Sequence, residues 1–313
     1  MALFVQKDTL ASYMKVVQPE AGKGSVASYI PALQQADPDA FGCAVHQGKE
    51  KAEAGDTGIR FTLQSVAKVI SLALALMDRG REEVFSRVGM EPSGNPFHSI
   101  QALEKEKPAK PLNPMINAGA LVVADMLQEK RPDTAADRFV GLIQQITANP
   151  DVDICAETAV SERNHSNLNR ALCYFLKSHN VLENEVEEVL NTYINLCSVK
   201  VNSCDLARIG SVLGADGRDP ETGEYLIPSW TAEMVTTFMV TCGMYDASGS
   251  FAINAGIPCK SGVSGALLGS LPDGTGIGVY SPPLDSHGNS AAGTRLLERL
   301  SSDFQLSIFS GRV

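Results

Sequence analysis

The sequence predicts an α+β fold, an antiparallel sheet flanked by helices and built from both ends of the chain, beside a mostly helical middle. Three features predict it. Short apolar runs bounded by turn residues cluster near the two termini, whereas the stretch 86–230 between them carries helical spacing. A helix precedes the first strands and another follows the last, so the two ends build one layer. No repeat, low-complexity tract or long linker interrupts the 313 residues, a length that suits one large domain or two closely packed ones. The expected division is a discontinuous αβ unit over 1–64 and 231–313, a helical unit over 65–230, and a site at their interface.

Helices are expected over 9–22 and over 26–35, the second capped by Ser25. The runs 41–47 and 59–63 read as the two strands of a hairpin, with Gly48 and Asp56-Thr57-Gly58 as turn material. From 65 to 79 the chain is apolar on all sides, which marks a buried helix, and Gly80 is a natural stop. Helices follow over 118–128, 133–147, 162–178, 183–196 and 203–213. They are punctuated at Glu91-Pro92-Ser93-Gly94, at 108–114 and at Asn149-Pro150-Asp151. After a helix over 231–241, glycine-broken strands are expected at 251–255, 263–268 and 276–280, then a last helix over 291–300.

Composition removes several classes of function. A formal net charge of -10 speaks against a phosphate-tracking surface and hence against nucleic acid. The first residues lack the basic head and apolar run of a signal peptide, and no segment approaches the roughly 18 apolar residues of a membrane span. Seven cysteines without a C-x-x-C pair read as reduced thiols of a cytoplasmic protein. The five histidines form no close pair and no H-E-x-x-H, so no metal site and no cofactor is expected. The chemistry must then come from side-chain nucleophiles.

Ser65-Val66-Ala67-Lys68 opens the buried helix as an S-x-x-K, which puts serine and lysine on one face. Burial among Val66, Val69, Ile70 and Leu72 depresses a lysine pKa and fits it to take the serine proton. The unpaired N–H groups of a first helical turn suit an oxyanion. The pattern is weak alone, but a lysine in so apolar a helix demands a reason. Far downstream, Lys260-Ser261-Gly262 enters a strand. S-x-x-K followed by K-[ST]-G is the arrangement of penicillin-binding proteins and class A β-lactamases, although the S-D-N element of those enzymes is missing here.

Longer strings narrow the resemblance. Val26-Ala27-Ser28-Tyr29-Ile30-Pro31, Phe61-Thr62-Leu63-Gln64-Ser65-Val66-Ala67-Lys68 and Asn113-Pro114-Met115-Ile116-Asn117-Ala118-Gly119-Ala120 resemble the bacterial serine-dependent glutaminases. So do Cys242-Gly243-Met244-Tyr245-Asp246 and Pro258-Cys259-Lys260-Ser261-Gly262-Val263, in order over nearly the whole chain. The resemblance implies a β-lactamase-like fold, hydrolysis of the side-chain amide of L-glutamine to glutamate and ammonia, and a homodimer or homotetramer. It also implies Ser65 as nucleophile, Lys68 as general base and Tyr245 as a third catalytic group. Tyr29, Gln64, Asn117, Glu162, Asn169 and Tyr193 would contact substrate, as would Ser65 and Tyr245. The amides of Ser65 and Val263 would form the oxyanion hole, supported by the strand carrying Lys260, Ser261 and Gly262.

These residue types suit a zwitterion: Glu162 can accept its ammonium, and Asn117, Asn169 and Tyr193 can serve its carboxylate. Plainer uses compete at each position. Glu162 reads equally as a carboxylate near a helix start, Asn117 as a cap, and Tyr29, Tyr193 and Tyr245 as packed rings. On one helix, Glu162 and Asn169 would share a face. An ester or β-lactam hydrolase using the same pair, and a catalytically silent glutamine sensor, remain as rival functions. Two glycine-rich strings are set aside. Gly22-Lys23-Gly24-Ser25 fails the phosphate-loop pattern, and Gly274-Thr275-Gly276-Ile277-Gly278 reads as a hairpin turn into a strand.

Overall fold

A computed structural model describes residues 5–93, 110–128 and 134–310 of the chain. Five antiparallel strands form the main sheet in the order β2-β1-β8-β7-β6. They are β1 (Gly42–Gln47), β2 (Glu50–Gly55), β6 (Cys259–Gly262), β7 (Ala266–Ser270) and β8 (Thr275–Tyr280). Strands from the two ends of the chain meet at the centre, where Cys43 pairs with Val279 and Val45 with Ile277. Edge strand β2 alternates exposed and buried residues, whereas β7 and β8 are buried throughout, as covered strands must be.

One face is covered by the terminal helices α1 (Lys7–Val17) and α11 (Ala291–Phe304). Leu10 and Met14 of α1 and Leu296 and Leu300 of α11 pack with Cys43, Val45, Ile277 and Val279 in a single cluster. The other face carries α8 (Ser203–Gly214), which comes from the middle of the chain. Glycines of β8 admit it: a Cβ on Gly276 would lie 1.9 Å from the Ala207 carbonyl oxygen, and one on Gly278 2.0 Å from that of Ser203. The alternating glycines near 274–278 thus seat a helix backbone on the sheet.

A larger apolar cluster lies on the helical side. At its centre runs α2 (Ala67–Arg87), where Leu72, Ala73, Ala75 and Leu76 are fully buried. Around it stand α3 (Asn117–Met126), α4 (Ala135–Thr147), α5 (Ala156–His165), α6 (Asn167–Ser178), α7 (Val186–Cys197) and α9 (Ser229–Cys242). A small second sheet, β3 (Phe61–Thr62), β5 (Val199–Val201) and β4 (Asp153–Ile154), pairs Phe61 with Val201 and Asp153 with Lys200. It ties the segment before Ser65 to the end of α7.

Several expectations are corrected. The hairpin partner of β1 is Glu50–Gly55 rather than 59–63: Lys49 and its neighbours make a tight turn at Gly48 (φ +59), and the alternation of Ala52 and Ala54 was too slight to read as apolar. The segment 26–35 forms bends and turns instead of a helix. Helix α2 kinks at Gly80 (φ +76) and continues to Arg87, because Val84 and Phe85 still find buried partners. The helix expected over 162–178 is two, broken at Ser166, so Glu162 and Asn169 do not share a helix. The strand expected at 251–255 is helix α10 (Ser248–Asn254), and the strand expected at 263–268 is a β6–β7 hairpin turning at Val263 to Gly265. The first residue expected of the helix over 133–147, and the turn residues Gly94 and Pro108, lie outside the described residues.

Candidate active site

Ser65 sits in a 3₁₀ turn, Gln64–Val66, that runs into α2. Strand β3 delivers it, and the amide of Leu63 is fixed to the carbonyl of Val199 at 2.9 Å. Gln64 adopts a left-handed backbone (φ +48), which costs a side-chain-bearing residue energy and recurs at functional turns. Lys68 follows three residues on, in the first turn of α2, a spacing that puts the serine and the lysine on the same side.

Lys68 is 2% exposed. Its Nζ donates to Asn117 Oδ1 at 2.6 Å and to the Met115 carbonyl at 3.1 Å. Burial pulls its pKa down from the ordinary lysine value to about 8, although Cys197 and Glu162 work the other way. A neutral amine has two N–H bonds and one lone pair. With both N–H bonds accepted, the lone pair is left for a third direction, as a general base requires.

Asn117 is the first residue of α3, and its Nδ2 donates to Asn169 Oδ1 at 2.9 Å. Glu162, on α5, is 5% exposed, and burial lifts its pKa to about 7 against the opposing effects of Gln64 and Lys68. Among the described residues its Oε2 has no hydrogen-bond partner. A buried acceptor without a donor is costly, and a ligand donor would relieve it. Tyr193 is buried on α7, and Tyr29, 59% exposed, stands at the mouth.

Seven of the expected residues line one cavity of about 310 Å³: Tyr29, Gln64, Ser65, Asn117, Glu162, Asn169 and Tyr193. The rest do not line it. Lys68 is reached through Asn117, a lining residue to which it is bonded. Tyr245 approaches Ser65 from another side, where the serine hydroxyl lowers a phenol pKa that burial raises. Val263 follows β6 and lines a neighbouring cavity of about 340 Å³ with Ser264, Arg60 and Lys200. Lys260 stays out of the cavity: its Nζ donates to the carbonyls of Gly243 at 3.0 Å and Ser261 at 2.7 Å and lies 4.5 Å from the Tyr245 ring centroid, and burial holds its pKa well below the ordinary lysine value. Gly262 lets β6 press against the nucleophile turn, since a Cβ there would be 2.7 Å from the Leu63 carbonyl oxygen.

Ile30, His165, Ser166 and Leu168 also line the cavity and were not foreseen. His165 ends α5 and its Nδ1 donates to the Ser161 carbonyl at 2.7 Å. The polar string Arg163-Asn164-His165-Ser166-Asn167 was the available sign of a break that turns side chains into a pocket. Among the described residues no group of three or more His, Cys, Asp or Glu could hold a metal, and no helix is long and apolar enough to cross a membrane.

Known proteins share this arrangement of chain. The glutaminase family profile matches residues 24–309. A glutaminase of Geobacillus thermodenitrificans is 48% identical over 304 residues, covering 97% of this chain and 98% of its own. Glutaminase 1 of Halalkalibacterium halodurans is 50% identical over 308 residues, covering 98% of this chain and all of its own (100%). Among solved structures, a probable glutaminase from Bacillus subtilis complexed with 6-diazo-5-oxo-L-norleucine superposes with a TM-score of 0.87 at 36% identity, covering 97% of this chain and 96% of that one. With the profile and the relatives spanning nearly its whole length, this chain belongs to the glutaminase family.

Proposed function

We propose that this chain hydrolyses the side-chain amide of L-glutamine to L-glutamate and ammonia through an acyl-enzyme on Ser65. Neutral Lys68 accepts the Ser65 proton while Oγ forms a bond to the amide carbon. The amides of Ser65 and Val263 receive the oxyanion, a device worth roughly 3 kcal/mol per donor when tested by removal. Collapse of the tetrahedral adduct breaks the C–N bond. The departing nitrogen takes a proton from the Lys68 ammonium, relayed by the Tyr245 hydroxyl, and leaves as ammonia. Water then gives a proton back to the Lys68–Tyr245 pair and attacks the γ-glutamyl ester; the C–Oγ bond breaks, and Ser65 Oγ takes that proton, which restores the hydroxyl and the neutral Lys68.

At the other end of the cavity Glu162 accepts the substrate ammonium, and Asn117, Asn169 and Tyr193 serve the α-carboxylate, with Tyr29 and Gln64 closing the sides. The observation that carries the reading is one cavity walled by both Ser65 and a Glu162 carboxylate oxygen with no partner, with a buried lysine bonded to Asn117 in the same wall. An amino acid bearing a side-chain amide suits both. Asparagine is one methylene shorter, and apolar contact alone discriminates a methylene by only about 10- to 200-fold. Greater selectivity would have to come from the distance between an ammonium anchored at Glu162 and the Ser65 hydroxyl. A homodimer or homotetramer and a cytoplasmic location belong to the same proposal. The described cysteines are all unpaired, which suits a reducing compartment.

The test is affinity labelling with 6-diazo-5-oxo-L-norleucine, the compound in the Bacillus subtilis complex. One equivalent of 5-oxo-norleucyl adduct on the peptide containing Ser65, suppressed by glutamine, is the expected result. An adduct on a cysteine peptide, or none on a folded protein, would overturn it.

A further inference from the structure

We propose that Ser248, seconded by Asn289, is the positioning residue that holds Tyr245 in the strained backbone conformation from which its hydroxyl reaches Ser65. The inference rests on the reading of Tyr245 given above. Tyr245 has φ +55, a region that disfavours a residue with a large side chain and that persists only where the surroundings over-determine it. The peptides on both sides of it must therefore be held from outside.

One hydroxyl does most of this. Ser248 Oγ accepts the amide of Met244 at 3.0 Å and donates to the carbonyl of Tyr245 at 2.7 Å, so a single side chain ties the peptide that follows the tyrosine to the one that precedes Met244 and spans the turn between them. Its one proton and one of its lone pairs suffice for the two bonds. Ser248 is 7% exposed, so water does not readily replace it. The peptide directly before the tyrosine is held at its carbonyl, where that of Met244 accepts from the Ala247 amide at 3.1 Å and from Asn289 Nδ2 at 3.3 Å, and Asn289 is 1% exposed.

Asn289 is itself held. Asp285 Oδ1 accepts the amides of His287 at 2.8 Å and Asn289 at 3.0 Å, which shapes the loop before α11. At its tip Gly288 (φ +85) lies beside the tyrosine ring, where a Cβ would make an ordinary contact, 3.8 Å from Cε2. Lys260 Nζ lies over the ring, and the 285–290 loop is at its edge. The ring contacts leave the backbone free to relax, whereas the Ser248 hydroxyl spans the turn that carries the strained angle.

The competing reading is that Ser248 merely starts helix α10. The two are separated by a double-mutant cycle of Ser248→Ala with Tyr245→Phe, read as kcat and KM on glutamine beside thermal stability. Ser248→Ala is expected to lower kcat about tenfold or more with KM within about twofold, the scale of a reacting group misplaced by a fraction of an ångström. In the Tyr245→Phe background the same change is expected to alter kcat by less than about twofold. Ser248→Thr restores the hydroxyl, and a cavity of about 110 Å³ lined by Ser248, Asn113, Met115 and Tyr245 has room for its methyl group, so kcat should recover to within about threefold of the parent. An equal loss in both backgrounds, an unchanged kcat in Ser248→Ala, or a Thr variant no better than Ala at equal thermal stability overturns the inference. A fully active Tyr245→Phe protein instead removes the assignment of Tyr245 itself, and with it the clamp's purpose. An impaired Tyr245→Phe with a neutral Ser248→Ala overturns the clamp alone.

Discussion

Replacing Lys68 by methionine keeps the side chain's bulk in its apolar surroundings and removes both the base and the buried charge. In the parent protein kcat follows the neutral fraction of Lys68, whose pKa is drawn down to about 8. That fraction climbs from about one-tenth at pH 7 to about nine-tenths at pH 9, so kcat should rise about tenfold and level off. A lysine at its ordinary pKa would give roughly a hundredfold rise over the same range with no plateau. In Lys68→Met the rise disappears and kcat falls by about 10³ or more, the scale of a lost general base. Stability supplies an independent reading. Folding lowers this pKa, so the unfolded chain binds the extra proton between about pH 8 and the ordinary lysine value, and stability must increase with pH across that window. Below it the folded protein bears the full cost, roughly 3 kcal/mol. From pH 7 to pH 9 the parent should gain about 1.3 kcal/mol relative to Lys68→Met, read by urea unfolding at both pH values. Stopped assays of ammonia release across pH 6 to 10 complete the test. A kcat still rising tenfold per unit at pH 9.5, or a stability difference independent of pH, would refute the claim that burial tunes Lys68.

Glu162→Gln should lower kcat/KM by about a hundredfold or more, mostly through KM, since a charge-assisted bond to the substrate ammonium is lost. The same variant should be more stable at neutral pH. Folding raises the carboxyl pKa to about 7, so the parent loses stability as pH rises from the ordinary carboxylate value through 7, and the amide is spared that loss. Parallel Michaelis and thermal-melt measurements at pH 8 check both signs. Gly262→Ala must push β6 from the nucleophile turn, because its Cβ would meet the Leu63 carbonyl oxygen at 2.7 Å and Val66 Cγ2 at 3.2 Å. Displacing the Val263 amide in this way should cost kcat about tenfold to a hundredfold while KM changes little, a split that steady-state kinetics on glutamine would reveal.

Much of the architecture was legible in residue order. The apolar circumference of the helix after Ser65, the lysine buried within it and the glycine-broken strands at the end stated the layer plan directly. The misreadings share a physical cause. Strand β2, Glu50–Gly55, shows only alanines on its inner face, so its alternation carries little hydrophobic signal, and the more apolar 59–63 took its place. Phe251 and Ile253 look strand-like, but Ser248 back-bonds to Tyr245 and starts a helical turn there. The break at Ser166 was signalled only by the polar string Arg163 to Asn167, which carries neither Gly nor Pro and so does not by itself end a helix. At the site, seven of the residues given by the resemblance line one cavity, but depth was not readable: Lys68, Tyr245 and Lys260 are outside its lining, and Val263 lines another cavity. Nor did spacing alone reveal His165 and Leu168, because a pocket made at a helix break depends on which way the second helix departs.

The most direct measurement of the central claim is ammonia release from glutamine by the purified protein beside its Ser65→Ala variant, with asparagine as control substrate. The account predicts rapid release from glutamine by the parent, far slower release from asparagine, and a loss of about 10³ or more in the variant at unchanged fold and undiminished glutamine binding. A folded Ser65→Ala protein that still released ammonia at the parental rate would contradict it, and the nucleophile would have to be sought elsewhere in the cavity.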